Sequence, residues 1–250
     1  MGKKLGYSIL ACVYGNHRQF SNFLWTAYCQ DFDDFEIVIV DNATPGAQIK
    51  SVYERTPRKI RRMINYIYLP QKEKRCRNIN QGINIAAQKA AGKYLVIVAD
   101  PNVMLSFNLL DSIDELIDDG SVVLSAGCND IKISPYGSHE SEYGTKNPEE
   151  VANANDVMLD LMGWPCDPLH LKLIPGKHRY PPPHQTYDCY IVALSKNNYL
   201  KSGGMNEGIR SWGEYHQKFV KGLTKWLKPK HLHGVKIIHQ FHRVYKDDPI

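Results

Sequence analysis

Residues Tyr94–Leu105 read YLVIVADPNVML. The apolar run Tyr94-Leu95-Val96-Ile97-Val98-Ala99 stops at Asp100-Pro101-Asn102 and resumes with Val103-Met104-Leu105. A short apolar run rich in β-branched residues predicts a strand buried on both faces. Proline cannot donate to a sheet, so Pro101 ends the ladder and sets a turn at the strand's carboxyl end. Ligands of open α/β sheets bind at that end. The turn would bring the Asp100 carboxylate and the Asn102 carboxamide together, two hard oxygen donors suited to Mg²⁺ or Mn²⁺ shared with a diphosphate. Asp-Pro-Asn is also ordinary turn chemistry, and both readings stand at this point.

Working outward, the preceding chain alternates between strand and helix patterns. Leu5–Tyr14, Phe35–Val40 and Ile64–Leu69 read as strands. Phe20–Gln30 carries Phe20, Phe23, Leu24, Ala27 and Tyr28 at helical spacing, and Asn78–Gly92 carries Ile79, Ile83, Ala86, Ala87 and Ala90 likewise, with Gly92 as its C-cap. Between the second and third strands a helix rich in Arg55, Arg58, Lys59, Arg61 and Arg62 is expected. This β-α-β-α-β-α-β order predicts an α/β fold with a mainly parallel, doubly wound, Rossmann-like sheet. Asp41, after the second strand, repeats the position of Asp100.

Downstream, a helix is expected over Leu109–Ile117 and strands over Val122–Ala126 and Tyr187–Leu194. An amphipathic helix over Gly213–Leu227 and a last strand over Val235–Gln240, ending in a His-rich turn, complete the pattern. Ile133–Pro183 is different: polar, and rich in Gly, Pro, His and Tyr. Long irregular stretches in a compact domain are functional loops or disordered segments. This one is read as an insertion with a short helix near Glu149–Met162.

Length and composition bound the answer. At 250 residues, 43% hydrophobic and 23% charged, the chain allows one large α/β domain or one domain plus a small appendage. It is read as a single domain, 1–250, and suggests neither a disordered nor a fibrous class. Its first half, 1–105, and second half, 106–250, meet after the opening stretch. A net charge of +5 suits an anionic substrate, nucleic acid or an anionic membrane surface and does not choose among them. The six cysteines form no C-x-x-C pair, so neither a zinc site nor a disulfide framework is indicated, and a reducing, cytoplasmic setting is expected. No apolar run reaches membrane length, so no membrane span is expected.

Five segments together resemble a known family. They are SILACVYGN (Ser8–Asn16), EIVIVDNA (Glu36–Ala43), NQGINIAAQKAAGKYL (Asn80–Leu95), the Asp100–Asn102 turn, and GGMNEGIRSWGEYHQKF (Gly203–Phe219). In this order they resemble the GT-A glycosyltransferases of the large inverting family 2 type. The resemblance covers most of the chain except the insertion at about 133–183. It implies a GT-A fold whose 1–105 half binds a nucleotide sugar and whose 106–250 half, insertion included, faces the acceptor.

The resemblance also implies roles. Tyr14 would line the base pocket and Asp41 would hydrogen-bond the base or ribose of the donor; a turn or helix-cap role for Asp41 remains open. Gly82 and Asn84 match the family run, and Asn84 is implied on the nucleotide side or as a plain polar helix position. Asp100–Asn102 stands where the family has a DxD motif, with Asn102 replacing the second aspartate, usually the direct metal ligand. Either metal affinity falls, or Asp100 and another group carry the ion, or Arg and Lys neutralise the diphosphate. His239 and His242 follow the last strand, where many GT-A enzymes complete the metal shell. Glu214 lies where the family has Gly-Glu-Asp at the start of a helix facing the acceptor. Tyr215 replaces the usual aspartate, which leaves Glu214 as the motif's one carboxylate and the expected catalytic base, with Glu207 and Asp188 as competitors and a helix-capping role as the bland alternative. Of the basic groups, Arg55–Arg62 and Lys72–Arg77 are solvated helix faces, an anionic acceptor surface, or, for Arg75 and Arg77, phosphate contacts.

The expected activity is metal-assisted transfer, with Mn²⁺ or Mg²⁺, of a sugar from a nucleotide-diphosphate donor, UDP-linked by preference, to a glycan or other acceptor hydroxyl. Two alternatives stand beside it: a binding-only pseudoenzyme, motivated by Asn102, and a glycosyltransferase acting on modified nucleic acid, motivated by the basic groups. No dedicated nucleic-acid-binding motif supports the latter.

Overall fold

The computed structural model describes residues 6–76, 78–99, 101–125, 190–209, 214–232, 235 and 237–239. The insertion at about 133–183, with its expected helix, lies outside them. Strands β1 (Tyr7–Val13), β2 (Phe35–Asp41), β3 (Ile64–Tyr68) and β4 (Tyr94–Val98) run parallel in the spatial order β3-β2-β1-β4. Beyond β4 lie β7 (Ile191–Ser195), β6 (Ser121–Ser125) and β8 (Lys228–Leu232), completing seven strands. Only β7 runs against the rest, paired antiparallel to β4 and β6, while β8 is parallel to β6. Two short strands, β5 (Val103–Leu105) and β9 (Ile237–His239), form a separate antiparallel ribbon.

The period of two along each strand sorts its side chains into two layers. On one face Ile9, Ala11 and Val13 of β1 join Ile37 and Ile39 of β2. They meet Phe20 and Phe23 of helix α1 (His17–Tyr28), Ile49 of α2 (Gln48–Arg55), Ile60 of α3 (Arg58–Arg61) and Leu109–Ile113 of α5 (Leu109–Asp114). On the other face Leu10, Cys12, Val38 and Val40 meet Ile83, Ala86 and Ala87 of α4 (Asn80–Lys89), Tyr199 of α6 (Lys196–Lys201), and Val220 and Leu223 of α7 (Glu214–Leu223). Every residue of β1 is buried. Each fully buried Leu or Ile contributes about 1.5–3 kcal/mol, so the continuous apolar runs are what a sheet covered on both sides requires.

The structure departs from the sequence reading in four places. The single basic helix is two, α2 and α3. Thr56 adopts an extended conformation (φ −61°, ψ 135°) before Pro57, whose ring disfavours a helical predecessor. Gly92 is not a C-cap: α4 ends at Ala90 with ψ 137°, and Gly92 instead lies against the backbone of β1. Helix α6 and strand β8 were not expected. KPKHL carries no alternation, yet it forms the outer strand, where Pro229 costs little because one edge has no neighbour among the described residues. Finally, α5 and α7 are shorter than the patterns suggested, since helix ends are where periodicity is least informative.

β6 and β7 are neighbours although residues 126–189 separate them. The Ile191 N–H donates to Ser125 Oγ at 3.1 Å and ties the two strand ends together. Among the described residues no helix is long and apolar enough to cross a membrane. Cys12, Cys29 and Cys76 are free thiols, and burial pushes all three upward, away from the reactive thiolate.

A Cβ added at Gly92 would stand 2.5 Å from the Tyr7 carbonyl carbon and 2.6 Å from the Ser8 nitrogen, both main-chain atoms that cannot step aside. Gly92→Ala should therefore cost about 3 kcal/mol. A urea midpoint within error of the wild type would refute this packing.

Candidate functional site

The chain winds outward from β1 to β2 and β3, then returns to lay β4 on the other side of β1. The carboxyl ends of β1 and β4 therefore flank the point where strand order reverses, the position at which open α/β sheets bind ligands. Tyr14 follows β1, and the Asp100-Pro101-Asn102 turn follows β4. Asp100 itself lies outside the described residues, as do Arg77, Asp188, Trp212-Gly213 and His242.

The loops after β1 and β2 are fastened to each other. The Gly15 N–H donates to Thr44 Oγ1 at 3.0 Å and the Asn42 N–H to the Val13 carbonyl at 2.8 Å. Both loops hold non-glycine residues in the left-handed region, Asn16 at φ 48° and Ala43 at φ 62°. Such strain costs of order 1 kcal/mol or more each and persists where surroundings over-determine the backbone, often at functional sites.

Asp41, the last residue of β2, organises this region from beneath. It is fully buried. Oδ1 accepts from the Thr44 N–H at 3.0 Å and Oδ2 from the Tyr66 hydroxyl at 2.7 Å, while its carbonyl accepts from Leu69 N–H. Each oxygen can accept more than one hydrogen bond, so direct contact with a ligand is limited by the burial of the side chain rather than by these donors. Tyr66 is stacked on Tyr53 (centroids 4.8 Å apart, planes at 11°). Burial first, and then its bond to Asp41, push the Tyr66 hydroxyl above its ordinary range.

Lys74 was read only as part of a basic run, yet it is buried, with its ammonium 4.8 Å from the centre of the Tyr14 ring. No local pattern distinguishes a buried lysine from its solvated neighbours. The contact places a cation beside the aromatic ring at the end of β1.

The other wall is the loop Gly203–Ile209, held by the first turns of α4 and the residues before it. Asn78 Nδ2 donates to the Ile209 carbonyl at 2.5 Å, Asn80 Nδ2 to the Asn206 carbonyl at 2.6 Å, and Asn84 Nδ2 to the Met205 carbonyl at 2.9 Å. Asn84 Oδ1 accepts from the Tyr199 hydroxyl (2.6 Å) and the Met205 N–H (2.9 Å). Asn84 thus spends both ends of its amide on the loop. Gly204 follows at φ 74°, and a Cβ there would lie 2.7 Å from Asn84 Oδ1, so backbone angle and space both demand glycine.

Glu207, in the same loop, is occupied. Its carboxylate accepts from Arg75 Nε (2.9 Å) and Nη2 (3.1 Å) and from Asn84 Nδ2 (2.9 Å). A paired fork of this kind gives geometric definition more than stability when the arginine is solvent-exposed. Glu214 opens α7, the helix that this loop leads toward.

The β5–β9 ribbon sets the remaining residues. Its register pairs Val103 with His239, so the backbone of His239 stands beside the position next to Asn102. Asn102 is buried. Two of the four expected ligand positions are therefore neighbours, although more than a hundred residues apart in the chain. Among the described residues no group of three or more His, Cys, Asp or Glu side chains is placed to hold a metal.

The two basic groups part company. Lys72–Arg75 follow the carboxyl end of β3, on the crevice side. Arg55–Arg62 lie between the end of α2 and the start of β3, at the opposite end of the sheet.

Solved structures share this architecture. The chain superposes on residues 1–349 of TarS from S. aureus with a TM-score of 0.61, 16% identity, and coverage of 94% of this chain and 60% of that one. The UDP complex of the same TarS fragment gives 0.59 at 16% identity, with the same coverage. The mannosyltransferase PcManGT from Pyrobaculum calidifontis, in complex with GDP-Man and Mn²⁺, gives 0.58 at 14% identity, covering 98% of this chain and 59% of that one. The fold is GT-A. The chain spans about 60% of the length of these GT-A structures. No family model and no curated relative matches the sequence. At such low identities the shared property is the GT-A architecture itself, seen here in the mainly parallel sheet and its flanking helices.

Tyr66→Phe should cost about 2 kcal/mol, because it removes a hydrogen bond to a buried carboxylate. Tyr66 is held neutral in the fold, so its contribution is complete below its unfolded value near pH 10 and is lost as pH rises further. The stability gap between wild type and Tyr66→Phe should be flat from neutral pH to about 9 and shrink above about 10. A gap that widens with alkali would overturn the assignment of this hydroxyl as donor.

Proposed function

We propose that this chain is a glycosyltransferase that moves a sugar from a nucleotide-diphosphate donor, UDP-linked by preference, to an acceptor hydroxyl. The observation that carries the reading is the convergence at the strand-order reversal: the Tyr14 loop, the Asp-Pro-Asn turn and, through the β5–β9 register, His239 share one end of the sheet. The UDP complex of TarS and the GDP-Man complex of PcManGT support a donor of this class.

The residues divide the work. Tyr14 and Lys74 flank the base, and Asp41 acts by setting the turn beneath it. The donor set of one carboxylate, one amide oxygen and imidazoles (Asp100, Asn102, His239 and His242) fits a divalent ion, and the imidazoles favour Mn²⁺ over Mg²⁺. Such an ion, when bound, supplies positive charge against the departing diphosphate. Asn102 contributes a neutral oxygen where a carboxylate would bind more strongly.

Glu214 is the base in this reading. The acceptor oxygen forms its bond to the anomeric carbon as the bond to the diphosphate oxygen breaks, and the acceptor proton passes to the Glu214 carboxylate in a single inverting displacement. Glu207 is the weaker rival because three donors already hold its oxygens. Its part is to hold the loop that leads to α7.

A thermal-shift panel of UDP- and GDP-sugars, with and without Mn²⁺, tests donor binding directly, since a ligand of the native state raises the melting temperature. Absence of any shift across the panel would sink the proposal. Glu214→Gln should lower transfer by about 10²–10⁴-fold while donor binding is retained. Near-native transfer by that variant would return the role to Glu207 or Asp188. Asn102→Asp should tighten Mn²⁺ binding in calorimetry, and equal turnover in EDTA and Mn²⁺ would remove the ion from the mechanism.

A further inference from the structure

The end of the sheet away from the crevice carries a surface that glycosyl transfer does not use. α1 ends at Tyr28 and α2 at Arg55, and α3 spans Arg58–Arg61, so their ends gather at the amino ends of the strands. Arg55, Arg58, Lys59 and Arg62 are exposed there. Arg61 is half-buried and donates to the Glu54 carbonyl at 3.1 Å. Among the described residues the ion pair on these helices is Lys50–Glu54, so the adjacent acid is already engaged and none of the four exposed cations meets a carboxylate. Asp31 and Asp33 are exposed beyond α1, but the Asp31 N–H is bonded to the Phe107 carbonyl, on the α5 side of that helix end.

Aromatic side chains adjoin the cations. Lys59 Nζ lies 5.9 Å from the centre of the Tyr28 ring, and Tyr28 stands 6.1 Å from Trp25. Trp25 is 40% exposed, unusual for so large an apolar side chain on the flank of a helix. Tryptophan and tyrosine beside lysine and arginine that meet no carboxylate among the described residues form the combination that settles at the boundary between lipid headgroups and acyl chains.

We propose that this end of the molecule docks on an anionic lipid surface, with Trp25 and Tyr28 at headgroup level and Arg55, Arg58, Lys59 and Arg62 against lipid phosphates. A membrane fits better than a nucleic acid for two reasons. Single strands are bound by successive stacking rings along a basic groove, whereas Lys59 already covers Tyr28 and leaves Trp25 as the exposed ring. A nucleic-acid acceptor held here would also lie at the wrong end of the sheet for the crevice. Lipid docking turns the strand carboxyl ends away from the bilayer and leaves the crevice open.

The test is co-sedimentation of the full chain with vesicles of equimolar phosphatidylglycerol and phosphatidylcholine, against pure phosphatidylcholine, at low and raised salt. Binding should require phosphatidylglycerol and weaken with salt. Each cation near an anionic leaflet strengthens binding by about fivefold, so Arg58→Glu/Lys59→Glu, which removes two, should reduce the partition coefficient about 25-fold or more. Trp25→Ala should weaken binding at raised salt, where the apolar part dominates. Lys228→Glu, an exposed cation at the same end of the sheet but on the opposite edge strand β8, should weaken it far less. Circular dichroism confirms that each variant is folded. Equal sedimentation with neutral vesicles, no sedimentation with either, or equal losses for Lys228→Glu would overturn the proposal. Retention on RNA that depends on Arg58 and Lys59, without vesicle binding, would replace the lipid by nucleic acid and overturn it too.

Discussion

Strand β1 bonds to β2 along one edge and to β4 along the other, and the rest of the structure is arranged around that double engagement. Its N–H and C=O groups are taken up by the two ladders, and its side chains are buried on both faces. A strand so enclosed leaves nothing for solvent except its ends. The amino end is closed by Gly6 and Gly92; the carboxyl end opens between two loops. The crevice is thus a by-product of satisfying one strand's hydrogen bonds, and its location needs no further instruction from the sequence.

A second constraint joins distant parts of the chain. Asn78, Asn80 and Asn84 reach across from the α4 region to the loop Gly203–Ile209, and the Arg75–Glu207 pair lies alongside. Polar side chains at the margin of a core are expensive unless satisfied, and here the amides are spent on main-chain groups that would otherwise be orphaned. The loop that precedes α7 is consequently positioned by the same helix that packs on β1.

Much of this was legible in the sequence. The strands announced themselves because both faces are buried, and the positions of Tyr14, Asp41 and Asn102 followed from polar residues abruptly ending apolar runs. The partners of those residues were not legible. Tyr66 reaches Asp41 from another strand, Lys74 is hidden among solvated cations, and Arg75 and Glu207 are 132 residues apart. Helix α6 and strand β8 escaped for a different reason: both are short, and β8 is polar enough to resemble a loop. Such elements are defined by neighbours rather than by their own pattern. The break at Pro57, by contrast, was written plainly and was overridden by the cluster of charges around it.

The hydrogen bond between Ile191 and Ser125 has an architectural consequence. It clamps the ends of two adjacent strands, so residues 126–189 leave and re-enter the sheet at nearly one point, at the same end as the crevice. The sheet's register does not depend on how much chain lies between those ends. Closing a loop costs only about 0.6 kcal/mol more for each doubling of its length. Ser125 and Tyr190 therefore act as a socket: the chain joining them can differ in length or composition while every strand keeps its partner.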